Sequence, residues 1–323
     1  MFQLLRDCIS PCNPRLRWFA IAVAIAVATS VSSQKARAAE APPAAMPAAV
    51  APSAQTFEGL QVQVVGAGRP VLMIPGLASG AAVWTETCRA LQPGVQCHIV
   101  QLPGFAGTAP VARDGWLDGM RDRLLDYVAD RHLDRPVVMG HSLGGVLALE
   151  MAAKSPDRLG RLVIVDALPF LAGIRNPAAT ADDARQAAEA MRAQMKQTPA
   201  DQADAQRVAM ARSLTRTPAG VDTIVRWGRD SDADTVGEAM VEMWGRDLRP
   251  DVARIHQPTL VLGSWAAYQP MGATLESTRG LFEQQYANLK GATVHMSQAG
   301  YHFLMWDDPT WLVSEVKSFV TAQ

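Results

Sequence analysis

The sequence predicts an α/β fold, a mostly parallel central sheet flanked by helices, and three observations carry that expectation. From Leu60 onward, short apolar runs alternate with amphipathic stretches, the order that yields parallel strands joined by crossover helices. Runs such as Val137-Val138-Met139 and Leu162-Val163-Ile164-Val165 are apolar without alternation, as strands covered on both faces are. With 323 residues, 49% of them hydrophobic and 19% charged, the chain carries enough apolar surface for one large core.

Residues 1–38 read as a secretory signal peptide. Arg6, Arg15 and Arg17 precede an apolar stretch from Trp18 to Val31, and Ala36-Arg37-Ala38 supplies a small-x-small cleavage pattern. That stretch falls short of the roughly 20 apolar residues a spanning helix needs. A periplasmic or secreted location is therefore expected, with no stable membrane span after cleavage. Residues 39–57 are rich in Ala and Pro without periodicity, which predicts a disordered leader. Cleavage removes Cys8 and Cys12 and leaves Cys88 and Cys97 in an oxidising compartment, where nearby thiols pair. A disulfide between them is expected.

The folded part then unrolls in order. Strands are predicted at 60–65, 71–74, 97–102, 136–140, 162–165, 259–263 and 293–296, with helices near 81–91, 116–131, 143–155, 275–289 and 310–320. The interval 169–256 breaks the rhythm, because amphipathic segments such as 187–195 and 236–244 follow one another with no convincing strand. It reads as a helical insertion between two core segments, 58–168 and 257–323. Met191, Met195, Met240, Met243 and Trp244 fall at helical spacing within it. Ordinary packing accounts for them; adaptable Met side chains lining a substrate cleft are the alternative.

Composition also excludes whole classes of function. Lys and Arg number 30 against 31 Asp and Glu, and no block of like charge stands out, so neither a nucleic-acid stripe nor a polybasic membrane patch is expected. No Cys pair or Cys/His spacing suggests a metal site, and neither a Walker loop nor a G-x-G-x-x-G fingerprint occurs. No metal or organic cofactor is expected.

The most informative motif is Gly140-His141-Ser142-Leu143-Gly144, directly after an apolar strand and before a helical segment. A strand turning sharply into a helix holds its central residue in a strained conformation and needs Gly on both sides. Ser142 would thus be lifted above the sheet, near a helix N-terminus that favours negative charge on a bound oxygen.

On this motif the chain resembles the α/β-hydrolase superfamily, in particular esterase-like members with a helical cap inserted after the sixth strand. Ile74-Pro75-Gly76-Leu77 looks like the family's oxyanion loop, and Leu102-Pro103-Gly104-Phe105-Ala106-Gly107 is similar to its Pro-Gly-x-Gly turn. The resemblance implies Ser142 as nucleophile and the Leu77 and Leu143 N–H groups as the oxyanion hole. It implies His302, in Ala299-Gly300-Tyr301-His302-Phe303 before the last helix, as general base. His98, His132, His141, His256 and His295 are expected to be structural.

The acid departs from the family's usual pattern. No carboxylate follows the strand after the insertion, where Gly263-Ser264-Trp265-Ala266-Ala267-Tyr268 stands instead. Asp166, at the end of the preceding strand, is the favoured acid; Glu276, after a longer loop, is the alternative. Asp307 and Asp308 are expected to start the last helix. The implied activity is that of a serine hydrolase acting on a small-molecule acyl substrate, first of all a carboxylic ester. Lactonase, amidase, C–C hydrolase and cofactor-free haloperoxidase chemistry, or a non-catalytic binding protein on the same fold, are the alternatives.

Overall fold

A computed structural model describes residues 54–321 of the chain apart from Arg113 and Arg175. The expected signal peptide and most of the expected leader lie outside the described residues. Eight strands form one sheet: β1 Ala54–Phe57, β2 Leu60–Gly66, β3 Gly68–Ile74, β4 Gly94–Gln101, β5 Val137–His141, β6 Arg161–Val165, β7 Thr259–Gly263 and β8 Ala292–Met296. Their order is β1-β2-β4-β3-β5-β6-β7-β8. β2 runs antiparallel to β1 and β4, and every later neighbour pair is parallel.

Strand β1 corrects the expected leader, which extended to residue 57. Ala-Gln-Thr-Phe is too short to show a period, and its pairing with β2 is made by a two-residue turn. Glu58 and Gly59 both take positive φ there, 47° and 88°, the left-handed geometry that closes a tight hairpin.

The helices α1 Thr85–Leu91, α2 Trp116–Asp130, α3 Leu143–Lys154, α8 Leu275–Gln285, α9 Leu304–Asp307 and α10 Pro309–Thr321 cover the sheet. The predicted helix at 81–91 divides into a 3₁₀ turn, Ala81–Trp84, followed by α1. Successive strand residues separate onto the two faces. Leu72, Val138 and Leu162 pack with α2, α3 and α8, whereas Val71, Val137 and Val163 pack with α1 and α10. The Cys88–Cys97 disulfide ties α1 to β4 with a Cα separation of 6.2 Å.

Between β6 and β7 come α4 Ala181–Gln197, α5 Ala200–Leu214, α6 Pro218–Asp230 and α7 Ala233–Trp244, with no strand among the described residues of this interval. This is the helical cap. Three of its four helix starts are capped locally: Thr180, Thr217 and Asp232 each accept from a main-chain N–H three residues on. Met240 and Met243 are buried, Trp244 is partly so, and Met195 is half exposed. The packing reading therefore holds for Met240 and Met243 and fails for Met195.

The cap also completes the core. Helix α2 begins at Gly115, which has no side chain to cap it, and Glu242 of α7 takes over by accepting from Trp116 N at 2.9 Å and Leu117 N at 2.7 Å. Nearby, Glu150 is the one acid in the buried helix α3. Arg246 Nε lies 3.0 Å from its Oε1, yet off the hydrogen-bond axis, so neither carboxylate oxygen has a well-aligned donor among the described residues. Burial pushes this carboxyl up to about 7 against the partial opposition of Arg246.

Candidate active site

Strand β5 delivers Ser142 at its carboxyl end. The residue holds φ 53° and ψ −119°, outside the regions open to most side chains, and α3 begins at the next position. Sterics explain the flanking glycines. A Cβ on Gly140 would lie 2.1 Å from Gly144 O, and one on Gly144 would lie 2.3 Å from Ile74 O. The Ser142 N–H donates to Val165 O at 2.9 Å, which ties the elbow to the end of β6.

The loop after β3 passes beside this elbow. A Cβ on Gly76 would meet His141 Nδ1 at 3.1 Å and Ser142 Cβ at 3.2 Å, a tight approach that favours glycine. Leu77 follows Gly76 directly, and Leu143 is the first residue of α3, where N–H groups lack intrahelical acceptors. Both expected donors thus lie on segments that meet at Ser142.

His302 sits in the loop between β8 and α9, and its Nδ1 is 2.7 Å from Asp166 Oδ2. An ionised carboxylate only accepts, so the proton lies on Nδ1 and Nε2 is left as the basic nitrogen. Asp166, itself at φ 47°, emerges at the end of β6 with its side chain 7% exposed. Glu276 is exposed in the first turn of α8, where Thr274 and Ser277 form a reciprocal cap. Of the two candidate acids, the structure brings Asp166 to the imidazole.

Sequence reasoning missed the partner of that acid. Ser264 donates its main-chain N–H to Asp166 Oδ1 at 2.7 Å and its hydroxyl to Oδ2 at 2.9 Å. It occupies the region after β7 where a carboxylate was sought, and nothing local in the sequence marks its hydroxyl as that acid's partner.

The loop carrying His302 is held from several sides. Buried His141 places Nε2 at 3.0 Å from His302 O, and its ring centroid lies 4.5 Å from that of His302. Asp307 lies in α9, which corrects its expected place at the start of the last helix, whereas Asp308 directly precedes α10 and its carbonyl accepts from Leu312 N at 3.0 Å, as expected of a helix start. Asp307 accepts from Tyr301 N, Thr215 Oγ1 and Arg216 N, linking the loop to the α5–α6 connection of the cap. Phe303 stacks on Trp306, which in turn meets Trp227 of α6 at 5.7 Å between centroids. The remaining histidines include His98, bonded to Tyr127 Oη at 2.8 Å, and His295, paired with Glu315 at 2.7 Å.

This elbow, its loop partner and the strand order agree with the outcome of sequence comparison: the pattern of the alpha/beta hydrolase family matches residues 71–315. The chain belongs to this family. Among curated proteins, the alpha/beta hydrolase described here is 33% identical over 110 residues to a pimeloyl-[acyl-carrier protein] methyl ester esterase of Nitrosomonas europaea, 34% of this chain and 42% of that protein. The matched segments span under half the length of the first such relatives. Among solved structures, an esterase of Exiguobacterium antarcticum superposes with a TM-score of 0.68 at 16% identity, over 83% of this chain and 98% of that one. The enol-lactonase of Burkholderia xenovorans LB400 does so at 0.67 and 16%, over 83% of this chain and 100% of that one. At that identity the likeness speaks for the fold.

Proposed function

We propose that this alpha/beta hydrolase is an exported serine hydrolase that cleaves a carboxylic ester through a Ser142–His302–Asp166 triad. The observation that carries the reading is the 2.7 Å contact from His302 Nδ1 to Asp166 Oδ2, with Ser142 strained to φ 53° at the end of the neighbouring strand. A hydroxyl becomes an effective nucleophile when a base within reach takes its proton, and a carboxylate on the far nitrogen fixes the base's tautomer and stabilises its cationic form. Export is supported by the signal-like residues 1–38 and by a disulfide that suits an oxidising compartment.

Ser142 Oγ attacks the acyl carbon while His302 Nε2 removes its proton. The oxyanion is held by the Leu77 and Leu143 N–H groups. The tetrahedral intermediate collapses, the imidazolium protonates the leaving alkoxide, and the alcohol departs from an acyl-Ser142. Water, deprotonated by His302, then attacks the acyl carbon, and the second collapse returns the proton to Ser142 Oγ and releases the carboxylic acid. One ester and one water give one acid and one alcohol. An ester is the first choice of substrate because the curated relatives named above are methyl ester esterases.

Labelling with a fluorophosphonate probe, followed by a series of p-nitrophenyl esters of increasing acyl length, tests the reading. The expected result is stoichiometric labelling at Ser142 and turnover of at least one ester. Absence of labelling on folded protein would indicate a binding protein on this fold.

A further inference from the structure

We infer that Ser264 is a positioning residue of this triad, holding the Asp166 carboxylate in the orientation from which it accepts the His302 proton donor. The inference rests on the triad reading above and names a group that acts through the acid.

Asp166 is poorly placed to orient itself. Its backbone sits at φ 47°, a strained region for a residue other than glycine, and its side chain is almost fully buried. A carboxylate withdrawn from water needs donors, and among the described residues it has three: Ser264 N–H on Oδ1, and the Ser264 hydroxyl and His302 Nδ1–H on Oδ2. One residue therefore grips both oxygens and removes free rotation of the carboxylate about its final bond.

Ser264 is itself fixed. It is 1% exposed and lies one residue beyond β7, which is paired in parallel with β6 through Val165 and Leu262. The Asp166 N–H donates to Leu262 O at 2.7 Å, so the acid and its clamp are registered to each other by the sheet. The hydroxyl and the imidazole also draw on the same oxygen. Hydrogen bonding to a carboxylate disperses its charge, so removing the hydroxyl leaves more charge facing the imidazolium and raises the pH at which the base loses its proton.

The test is a double-mutant cycle on the full-length mature protein with a p-nitrophenyl ester. Ser264→Ala is expected to lower kcat about tenfold, the scale of one hydrogen bond to a charged group, with KM little changed. It should also move the acidic limb of the kcat/KM profile upward by about half a pH unit. In an Asp166→Asn background the same change should cost no further rate. If the alanine variant does not fold, Ser264→Cys keeps the volume with a weak donor and enters the same cycle. Additive losses, or an unmoved acidic limb, would overturn the inference while leaving the triad standing. A loss below about tenfold for Asp166→Asn alone would instead sink the triad reading, and this inference with it.

Discussion

His141 Nε2 stands 3.0 Å from the main-chain oxygen of His302, so the residue before the elbow serine tethers the loop that carries His302. A carbonyl only accepts, which places the His141 proton on Nε2 and leaves buried Nδ1 without a hydrogen-bond partner among the described residues, beside Gly76. Burial, and then the neighbouring charge of His302, hold this imidazole well below its usual 6.5. It therefore stays neutral near pH 7.

His141→Leu keeps the bulk and removes the donor. It should destabilise the fold by about 1 to 3 kcal/mol, the cost of an unsatisfied buried carbonyl, and lower kcat more than it raises KM. Urea unfolding and steady-state kinetics check both. Unchanged kcat would show that the tether is structural only.

Ser142→Ala and His302→Ala should each abolish turnover by several powers of ten, and the double variant should lose little more, because nucleophile and base act as one unit. Retention of more than about a tenth of wild-type kcat by either folded variant would remove that residue from the mechanism.

The acid assignment separates two substitutions. Asp166→Asn should cost on the order of 10³ to 10⁴ in kcat, since an amide favours the wrong imidazole tautomer. Glu276→Gln, at an exposed helix start, should change the rate by less than about twofold. The reverse ranking would transfer the role to Glu276.

Glu150 should give the protein a falling stability limb. Its carboxyl is raised from 4.5 to about 7 by burial, so the native state binds its proton more tightly than the unfolded chain does. This group's share of stability is complete below the unfolded value and is lost as pH rises through about 7, a change of roughly 3 kcal/mol at most. Buried His141 acts in the opposite sense, its share being lost as pH falls below 6.5. Measured between pH 5 and 8, Glu150→Gln should gain on wild type by about 2 kcal/mol. A pH-independent difference between the two would refute this account.

Mass spectrometry of exported protein should find Cys88 and Cys97 bridged, and reduction should lower stability by about 2 to 3 kcal/mol, the loop-closure value for so short a loop. Two free thiols in unreduced material would contradict the pairing.

The parts that were legible from residues share a cause, which is that local sterics or periodicity dictate them. Gly140 and Gly144 announce the elbow because no side chain fits there, and the unbroken apolar runs announce strands covered on both faces. The Asp166–His302 pairing was expected from the resemblance to the family rather than from local sterics, and the strand order realises it by bringing the carboxyl ends of β5, β6 and β7 together. Ser264, Glu242 and Asp307 were not legible in the same way. Each works by accepting or donating across a sequence gap, Ser264 to Asp166, Glu242 to the start of α2 and Asp307 to Thr215, and a polar residue carries no local mark of a distant partner. Strand β1 escaped notice because four residues are too few to display alternation.

The position of Asp166 at the end of β6 bears on how this hydrolase can be remodelled. The chain leaves Asp166 and within a few residues has entered the cap; the exit is pinned by Tyr286 Oη donating to Ala167 O at 2.8 Å and by Phe170 N donating to Gln285 Oε1 at 3.2 Å. At its far side the cap grips the His302 loop through Asp307. Exchanging the whole cap would disturb the seats of Asp166 and His302 at once, whereas side-chain changes inside the existing cap leave both seats in place.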